Sequence, residues 1–171
     1  MNNAWVKYSV YFILVVLLQG LVVNNISFSM YINPMIYPVM LLMLPFELGT
    51  ILTILVAFLL GISVDAFSNT FGLNASAAMV IGYLRPFVLR IIRPRDGYDP
   101  VLLPSIHDMG KLWFLSYATI LLFVHHLWFF AIEIFRFDQI GQILLKTIIS
   151  LAFSLVLVIL FQYIFYKPSK K

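Results

Sequence analysis

The sequence has 171 residues, of which 63% are hydrophobic and only 11% are charged. Soluble domains average about 45–50% apolar and about 25% charged residues, and a small domain keeps too much surface in water to hide this excess. A water-soluble globular protein is therefore excluded, and we expect lipid to surround most of the chain. The sequence contains no cysteine, which excludes disulfides and thiolate chemistry. The net charge of +4 does not indicate nucleic-acid binding, because the basic residues lie at the ends of apolar runs, where they set membrane orientation.

Five apolar runs are long enough to cross a membrane, for which a helix needs about 20 apolar residues. The first run exceeds the core of a signal peptide, about 7–15 residues, so it is interpreted as a retained helix. The five runs predict transmembrane helices over residues 5–23, 48–66, 73–92, 112–132 and 139–166.

A sixth run, residues 30–44, is short and contains Pro34 and Pro38. As a helix it would cover about 22 Å, less than a hydrocarbon core of about 30 Å. It is therefore either a short span kinked by proline or a segment that re-enters the same face of the membrane.

Basic residues favour the first alternative. If the short run spans, one side of the membrane receives most lysines and arginines, and this side is cytoplasmic by the positive-inside rule. These are Lys7, Arg90, Arg93, Arg95, Lys111, Lys167, Lys170 and Lys171. We therefore predict a single all-α domain over residues 1–171, with about six transmembrane helices, a cytoplasmic loop at 93–111 and both termini in the cytoplasm. This loop and the tail are expected to attract anionic lipid, at about 1 kcal/mol per basic residue.

Ionisable side chains inside a membrane cost about 2.5–3.5 kcal/mol each, so each one needs a reason. Asp65 and Asn69 belong to the stretch GISVDAFSNTFG at 61–72. In one alternative this stretch is a helix end in interfacial water, followed by turn residues such as Asn69. In the other, Asp65 is a buried carboxylate that fixes the packing of the third and fourth helices. Arg85 is expected to extend toward the headgroups, and the alternative is an internal ion pair or a contact with a partner's carboxylate.

Further polar residues lie on the last two helices. His126 and Glu133 are seven residues apart and share a helix face, and Lys146 lies toward the same leaflet. We predict that these three residues and Asp65 form one cluster that leans toward the outside. Since neighbouring histidines point about 100° apart, His125 and His126 do not indicate a metal site. A stripe at steps of four predicts a contact with another helix, within the protein or in a partner: Gln142, Lys146, Ser150 and Ser154.

Motifs of catalysis are not found in the sequence. It has no GxxxxGK[ST] phosphate loop, no GxSxG nucleophile elbow and no HExxH zinc site. We therefore expect a non-enzymatic protein with no catalytic residues, cofactor or metal.

Two stretches resemble the MreD family of rod shape-determining proteins, in the form found in Bacteroidetes-type bacteria. They are GISVDAFSNTFGLNASAAMVIGYLRPFVLR at 61–90 and PSIHDMGKLWFLSYATILLFVHHLWFFAIEIFRF at 104–137, within a similarity that runs from about residue 10 to residue 166. The resemblance implies a non-enzymatic protein of the bacterial inner membrane that controls cell shape. It also implies partners in the elongation complex that supports peptidoglycan synthesis, namely MreC, MreB, RodA and the class B penicillin-binding protein.

The MreD family is also similar in fold to the substrate-binding subunits of energy-coupling-factor (ECF) transporters. This similarity supplies an alternative function, a membrane subunit that binds a small solute. In that case an outward-facing cavity is expected to be lined by Asp65, Asn69, Asn74 and Glu133.

Overall fold

The computed structural model describes residues 2–26 and 31–166, with the side chains of 6–26, 31–136 and 138–166. This part of the chain is helical and contains no β-strand. The predicted basic tail, Lys167, Lys170 and Lys171, lies outside the described residues, as does Met30, the start of the short apolar run.

Five long helices occupy the positions predicted from the apolar runs, and each end lies within three residues of the prediction. The first is α1 (Asn2–Leu17), which continues through a π turn (Leu18–Val22) and a 3-10 turn (Val23–Asn25). Single helical turns, α2 (Val39–Leu42) and α5 (Ile106–Met109), precede the third and fifth predicted spans. The remaining long helices are α3 (Thr50–Ser68), α4 (Leu73–Ile91), α6 (Lys111–Ile134) and α7 (Ile140–Phe165).

Four of these helices are long and apolar enough to cross a membrane. They cover Val6–Asn25, Thr50–Ser68, Lys111–Ile134 and Ile140–Phe165. Helix α4 has 19 residues, as α3 has, but it is more polar because it carries Asn74, Arg85 and Arg90. It packs between α3 and α6, and nine of its 19 residues are buried. This arrangement is compatible with a polytopic membrane protein.

The prediction of a helix over residues 30–44 is wrong. Residues 31–38 are not helical, and only the single turn α2 follows them. Proline disfavours the helical conformation of the residue before it and lacks an N–H group, so Pro34 and Pro38 prevent a continuous helix. Pro38 is instead the residue that begins the α2 turn.

Residues 31–44 nevertheless pass from one end of the helix bundle to the other. Asn24 at the end of α1 donates a hydrogen bond to Ser68 at the end of α3, with 2.7 Å between Nδ2 and Oγ. Since α1 and α3 finish at the same end, the chain between them must cross the bundle before α3 begins. The described ends of the chain also lie together, because Tyr11 Oη donates to the carbonyl oxygen of Phe165 at 2.8 Å.

The crossing segment, residues 31–44, forms the centre of the hydrophobic core. Residues 34–44 are all buried, and they lie among apolar side chains of all five long helices, such as Val15, Leu60, Ile81, Phe114 and Val158. The outer faces of the long helices are also apolar. Exposed side chains there include Val10, Ile13, Ile51, Leu55, Ile148 and Leu160.

Candidate functional site

Asp65 caps the start of α4 from the last turn of α3. Its Oδ1 accepts hydrogen bonds from the backbone N–H and the side-chain amide of Asn74, both at 3.0 Å, and from the hydroxyl of Thr70 at 2.5 Å. Its Oδ2 accepts from the backbone N–H of Ala75 at 2.9 Å. The first N–H groups of a helix have no intrahelical partner and carry a positive partial charge, so they stabilise a buried carboxylate. Asp65 therefore joins α3 to α4.

Gly61 allows this cap to form. A Cβ atom at position 61 would lie 2.3 Å from the Cα atom of Ala75, far closer than two carbon atoms can approach. With glycine there, the two helix backbones come close enough for Asp65, one turn later, to reach the N–H groups of α4. Gly82 allows a second close approach, because a Cβ atom there would lie 3.1 Å from the Cα atom of Ile54.

Asn69 is a turn residue. It ends α3 in the left-handed conformation, with a φ of 52°, and its N–H donates to the carbonyl oxygen of Asp65. Asparagine adopts this conformation more readily than most residues other than glycine. The Asn69 side chain is exposed and takes no part in the cap on α4.

Arg85 does not extend to the headgroups as predicted, because its side chain is bound inside the protein. The residue is 2% exposed. Its Nε donates to Tyr117 Oη at 2.9 Å, and its Nη2 donates to the carbonyl oxygens of Leu44 and Pro45, the latter at 3.1 Å. Tyr117 in turn donates to the carbonyl oxygen of Leu42 at 3.2 Å. Leu42 is the last residue of the α2 turn, and Leu44 and Pro45 follow it. The end of a helix leaves carbonyl acceptors unpaired and carries a negative partial charge.

Polar side chains of α1 and α7 bind the backbone of the crossing segment. The N–H of Asn33 donates to Ser150 Oγ at 2.9 Å, and the N–H of Met35 donates to Ser154 Oγ at 2.8 Å. On the other side, Gln19 Oε1 accepts from the N–H of Ile36 at 2.7 Å. Non-helical backbone inside a membrane must be paired within the protein. Ser150 and Ser154, two residues of the predicted stripe on α7, meet this need, so the stripe contacts an irregular segment as well as helix α6, which Lys146 and Ser154 also reach.

The two histidines of α6 continue this network. His126 Nδ1 donates to the carbonyl oxygen of Leu122 at 2.7 Å, and its Nε2 lies 2.9 Å from Ser154 Oγ. The Ser154 hydroxyl can accept from Met35 and donate to Nε2 at the same time, which fits an imidazole that carries its proton on Nδ1. His125 Nε2 lies 2.6 Å from Tyr37 Oη, whereas its buried Nδ1 has no partner among the described residues.

Glu133 and Lys146 form an ion pair between α6 and α7. The Lys146 Nζ lies 3.1 Å from Glu133 Oε2, and both side chains are partly exposed. The four residues predicted to form one cluster are therefore divided among three groups of hydrogen bonds. Asp65 binds the start of α4, His126 binds Ser154, and the ion pair lies apart from both.

A polar cavity of about 330 Å³ opens at the end of the bundle that contains the Asn24–Ser68 contact. Of the four residues predicted to line such a cavity, Asn74 and Glu133 do so, whereas Asp65 and Asn69 line a separate surface depression. The complete lining is Gln19, Gly20, Asn24, Asn25, Asn33, Met35, Phe67, Ser68, Thr70, Asn74, Phe129 and Glu133. Side-chain amides predominate among its polar groups, which suits hydrogen bonding to a neutral polar solute. Within the described residues no group of three or more His, Asp or Glu side chains could hold a metal ion.

Sequence reasoning missed Gln19, Tyr37 and Tyr117, which all bind buried polar groups of this network. Gln19 could have been found from the sequence. Apart from Lys7, it is the one strongly polar side chain in the first apolar run, residues 5–23. A polar group at such a position requires a partner inside the protein. The tyrosines had no comparable signal, since tyrosine is common in membrane helices.

Comparisons with known proteins add no assignment to this geometry. No protein-family model matches the chain, and no curated protein or solved structure matches it either. A function must therefore be argued from the residues quoted above and from the contacts that they make.

Proposed function

We propose that this chain is a non-enzymatic scaffold of the MreD type in the bacterial inner membrane. In this proposal it binds the membrane helix of MreC and helps to hold MreB, RodA and the class B penicillin-binding protein in the elongation complex. The resemblance of residues 61–90 and 104–137 to the MreD family supports the proposal. It is a proposal about assembly, in which the helices themselves form the binding surfaces.

The observation that carries it is the internal use of the membrane-buried polar groups. Asp65 caps α4, Arg85 binds the end of α2, and Ser150 and Ser154 bind the crossing segment. These groups therefore stabilise the fold, and the outer faces of α1, α3 and α7 remain apolar. In lipid, these faces are the surfaces that remain available for close packing against the helices of a partner.

The proposed topology has six membrane crossings, with the crossing segment as the second. Both chain termini and residues 93–111 then lie at the cytoplasmic face, as the basic residues favour. Contacts hold this loop against the bundle: Tyr98 Oη donates to the carbonyl oxygen of Leu89 at 2.8 Å, and the N–H of Ile106 donates to Gln162 Oε1 at 2.8 Å. Burial raises the pKa of Tyr98, which keeps its hydroxyl protonated as the donor.

Co-purification with MreC in a mild detergent tests the scaffold. We expect MreC to be recovered with the wild-type chain and with Arg136→Ala, a surface control. Paired substitutions of exposed apolar residues, Ile13→Ala with Val10→Ala on α1 and Ile148→Ala with Leu160→Ala on α7, should identify the binding face. Failure to recover MreC with the wild-type chain would exclude the proposal.

Cell-shape complementation separates folding from binding. We expect Asp65→Ala and Arg85→Ala to lower the amount of protein and to lose rod shape together. A variant of the binding face should lose rod shape at a normal protein level. Because the chain contains no cysteine, single cysteines at Lys7, Lys111 and Arg136 can report topology through an impermeant thiol reagent. Labelling of position 136 alone in intact cells is the expected result.

A second candidate function is favoured by the polar cavity at the proposed outer end. Its volume of about 330 Å³ and its amide-rich lining suit a small polar solute, as in a substrate-binding subunit of ECF type. A solute recovered with the purified chain, and lost from Asn33→Ala and Asn74→Ala, would favour this function. MreC binding that is unchanged in both variants would assign the cavity no role in the scaffold.

A further inference from the structure

A second cavity, of about 230 Å³, lies at the opposite end of the bundle from the amide-rich one. It is bounded by the start of α3, the end of α4 and the loop that follows α4. Its lining contains three arginines and no acidic residue: Phe46, Leu48, Thr50, Thr53, Arg85, Pro86, Leu89, Arg90, Arg93 and Tyr98.

No carboxylate of the described residues forms an ion pair with the arginines of this cavity, and the nearest acidic residue in the chain, Glu47, lies between the lining residues Phe46 and Leu48. Among the described residues the ion pairs are Arg136 with Asp138 and Lys146 with Glu133, so none of the three cavity arginines has a carboxylate partner. Arg85 uses Nε and Nη2 to bind the protein, whereas its Nη1 has no hydrogen-bond partner within the same part of the chain. A buried guanidinium therefore lines the cavity with an unused donor.

The donors fit a phosphate group. Arginine presents its N–H groups as a planar fork that binds phosphate oxygens in pairs, and an arginine held away from water binds them more strongly than a solvated one. Thr50, which lines the cavity, is the first residue of α3, and no side chain caps the free N–H groups of that first turn. The N-terminus of a helix favours an anion through these groups and through its dipole.

The surroundings fit a lipid rather than a soluble anion. Arg85 lies six residues before the end of α4, or about 9 Å along the helix axis, so a phosphate bound to it would lie below the helix end, where the interfacial layer of a membrane is expected. Phe46, Leu48 and Leu89 supply apolar walls, and exposed apolar residues adjoin the lining residues Thr50, Pro86 and Arg90 in sequence. These are Ile51, Phe87 and Ile91, which an acyl chain could cover.

We propose that this cavity is a specific site for the headgroup phosphate of an anionic phospholipid, bound by Arg85, Arg90 and Arg93. Arg85 is the rigid anchor, since the bundle holds it in place, and the exposed Arg90 and Arg93 close over the phosphate. The site goes beyond general attraction of a basic loop to an anionic surface, because it has a defined place and binds one lipid. It does not depend on MreC, so its failure and that of the scaffold are separate results.

Native mass spectrometry of the delipidated full chain, titrated with phosphatidylglycerol, tests the site. We expect one tightly bound lipid in the wild type and at least about tenfold weaker binding in Arg90→Ala/Arg93→Ala. The matched control, Arg95→Ala/Arg136→Ala, removes the same charge from exposed positions outside the cavity and should stay within about twofold of wild type. Equal losses in the two double variants would overturn the proposal.

Two further measurements sharpen the test. Arg90→Lys/Arg93→Lys keeps the charge and the exposed positions, so it should bind the lipid more tightly than the alanine pair even if that pair folds poorly. Binding as weak as in the alanine pair, from a lysine variant that melts at the wild-type temperature, would count against binding of the phosphate by the positive charge at these two positions. Inorganic phosphate at a hundredfold excess should not displace the lipid. Displacement by equimolar inorganic phosphate would overturn the lipid and leave a soluble-anion site.

Discussion

Asp65 lies in the last turn of α3, beside the start of α4, and Arg85 lies near the other end of α4. Both side chains are buried, but opposite ends of helices bind them. The carboxylate of Asp65 accepts hydrogen bonds from N–H groups at the start of α4. The guanidinium of Arg85 donates to carbonyl groups at and just after the end of α2. Each charge thus meets backbone dipoles of the opposite sign, and no described residue supplies either with an ion pair.

A charged side chain can therefore be buried in such a protein without a second charge of the opposite sign. Backbone groups at helix ends need partners in any case, so a charged side chain satisfies them and is itself stabilised. The Glu133–Lys146 pair shows the other solution, and it lies where both side chains still reach the surface. Substitutions that remove one partner at a time test whether the two helix-end sites stabilise the fold more than the ion pair does.

Asp65→Ala is expected to have the largest effect. It leaves the N–H groups of Asn74 and Ala75 without a buried partner, and we expect a loss of about 4 kcal/mol in the free energy of unfolding. Thermal unfolding in detergent, compared with the surface variant Asp138→Ala, measures the loss. Asp65→Asn keeps one acceptor oxygen and should lose about half as much. A melting temperature for Asp65→Ala equal to that of the control would refute the cap.

Arg85→Ala should lose somewhat less, about 3 kcal/mol, because it leaves three groups without their partner, two carbonyl oxygens and the Tyr117 hydroxyl, whereas Asp65→Ala leaves four donors. The matched control is Arg95→Ala, an exposed arginine at the same end of the bundle. Tyr117→Phe, which removes only the hydroxyl between Arg85 and Leu42, should lie between the two. If Arg85→Ala matched its control, the guanidinium would have to be solvated in the lipid environment.

Gly61→Ala tests the approach of α3 to α4 that places Asp65 at its cap. The added methyl group meets the backbone of Ala75, so we expect a loss of about 2 kcal/mol. Gly141→Ala is the matched control, because no atom lies within 4 Å of a Cβ atom there. That control should be neutral or slightly more stable, since alanine favours a helix. Equal melting temperatures for the two variants would mean that the helices are not in close contact.

Ser154→Ala extends the test to the crossing segment, with an expected loss of about 1.5 kcal/mol. The variant leaves the N–H of Met35 without an acceptor and His126 Nε2 without a donor. Ser63→Ala is the control, because that hydroxyl donates only to Leu59 within its own helix. Hydrogen exchange at Met35 should be faster in Ser154→Ala, and unchanged exchange would contradict the contact.

Glu133→Gln should have the smallest effect, about 0.5 kcal/mol, because a partly exposed ion pair is screened by water and salt. Raising the salt concentration should reduce the difference between the variant and wild type. A loss as large as that of Arg85→Ala would reverse the comparison and make the ion pair a principal contact between α6 and α7.

The helices could be predicted from the sequence because lipid imposes a simple rule of length and apolarity. The five long helices therefore lie close to their predicted bounds. The segment over 30–44 could not be predicted in the same way, because its non-helical backbone is stabilised by residues more than one hundred positions later, Ser150 and Ser154. Pro34 and Pro38 indicated that a regular helix was difficult, but not what would replace it.

Several residues of the site could be predicted from the sequence, but the contacts that they make could not. The cost of burying charge singled out Asp65 and Arg85, and one of the two alternatives for Asp65 matches its position between α3 and α4. The partners of Arg85 were missed because backbone carbonyls have no signature in sequence. Likewise, helical phase placed His126 and Glu133 on one face without showing that Ser154 binds the first and Lys146 the second.

The crossing segment also bears on how the protein is made. The amide groups of Asn33 and Met35 precede the serines that accept their hydrogen bonds by 117 and 119 residues, and in the proposed topology they enter the membrane first. During synthesis these amides must therefore keep water or the insertion machinery as a partner until α7 arrives. A chain interrupted before α7 should remain incompletely inserted and be degraded. Membrane integration is therefore complete only when the last helix has been inserted.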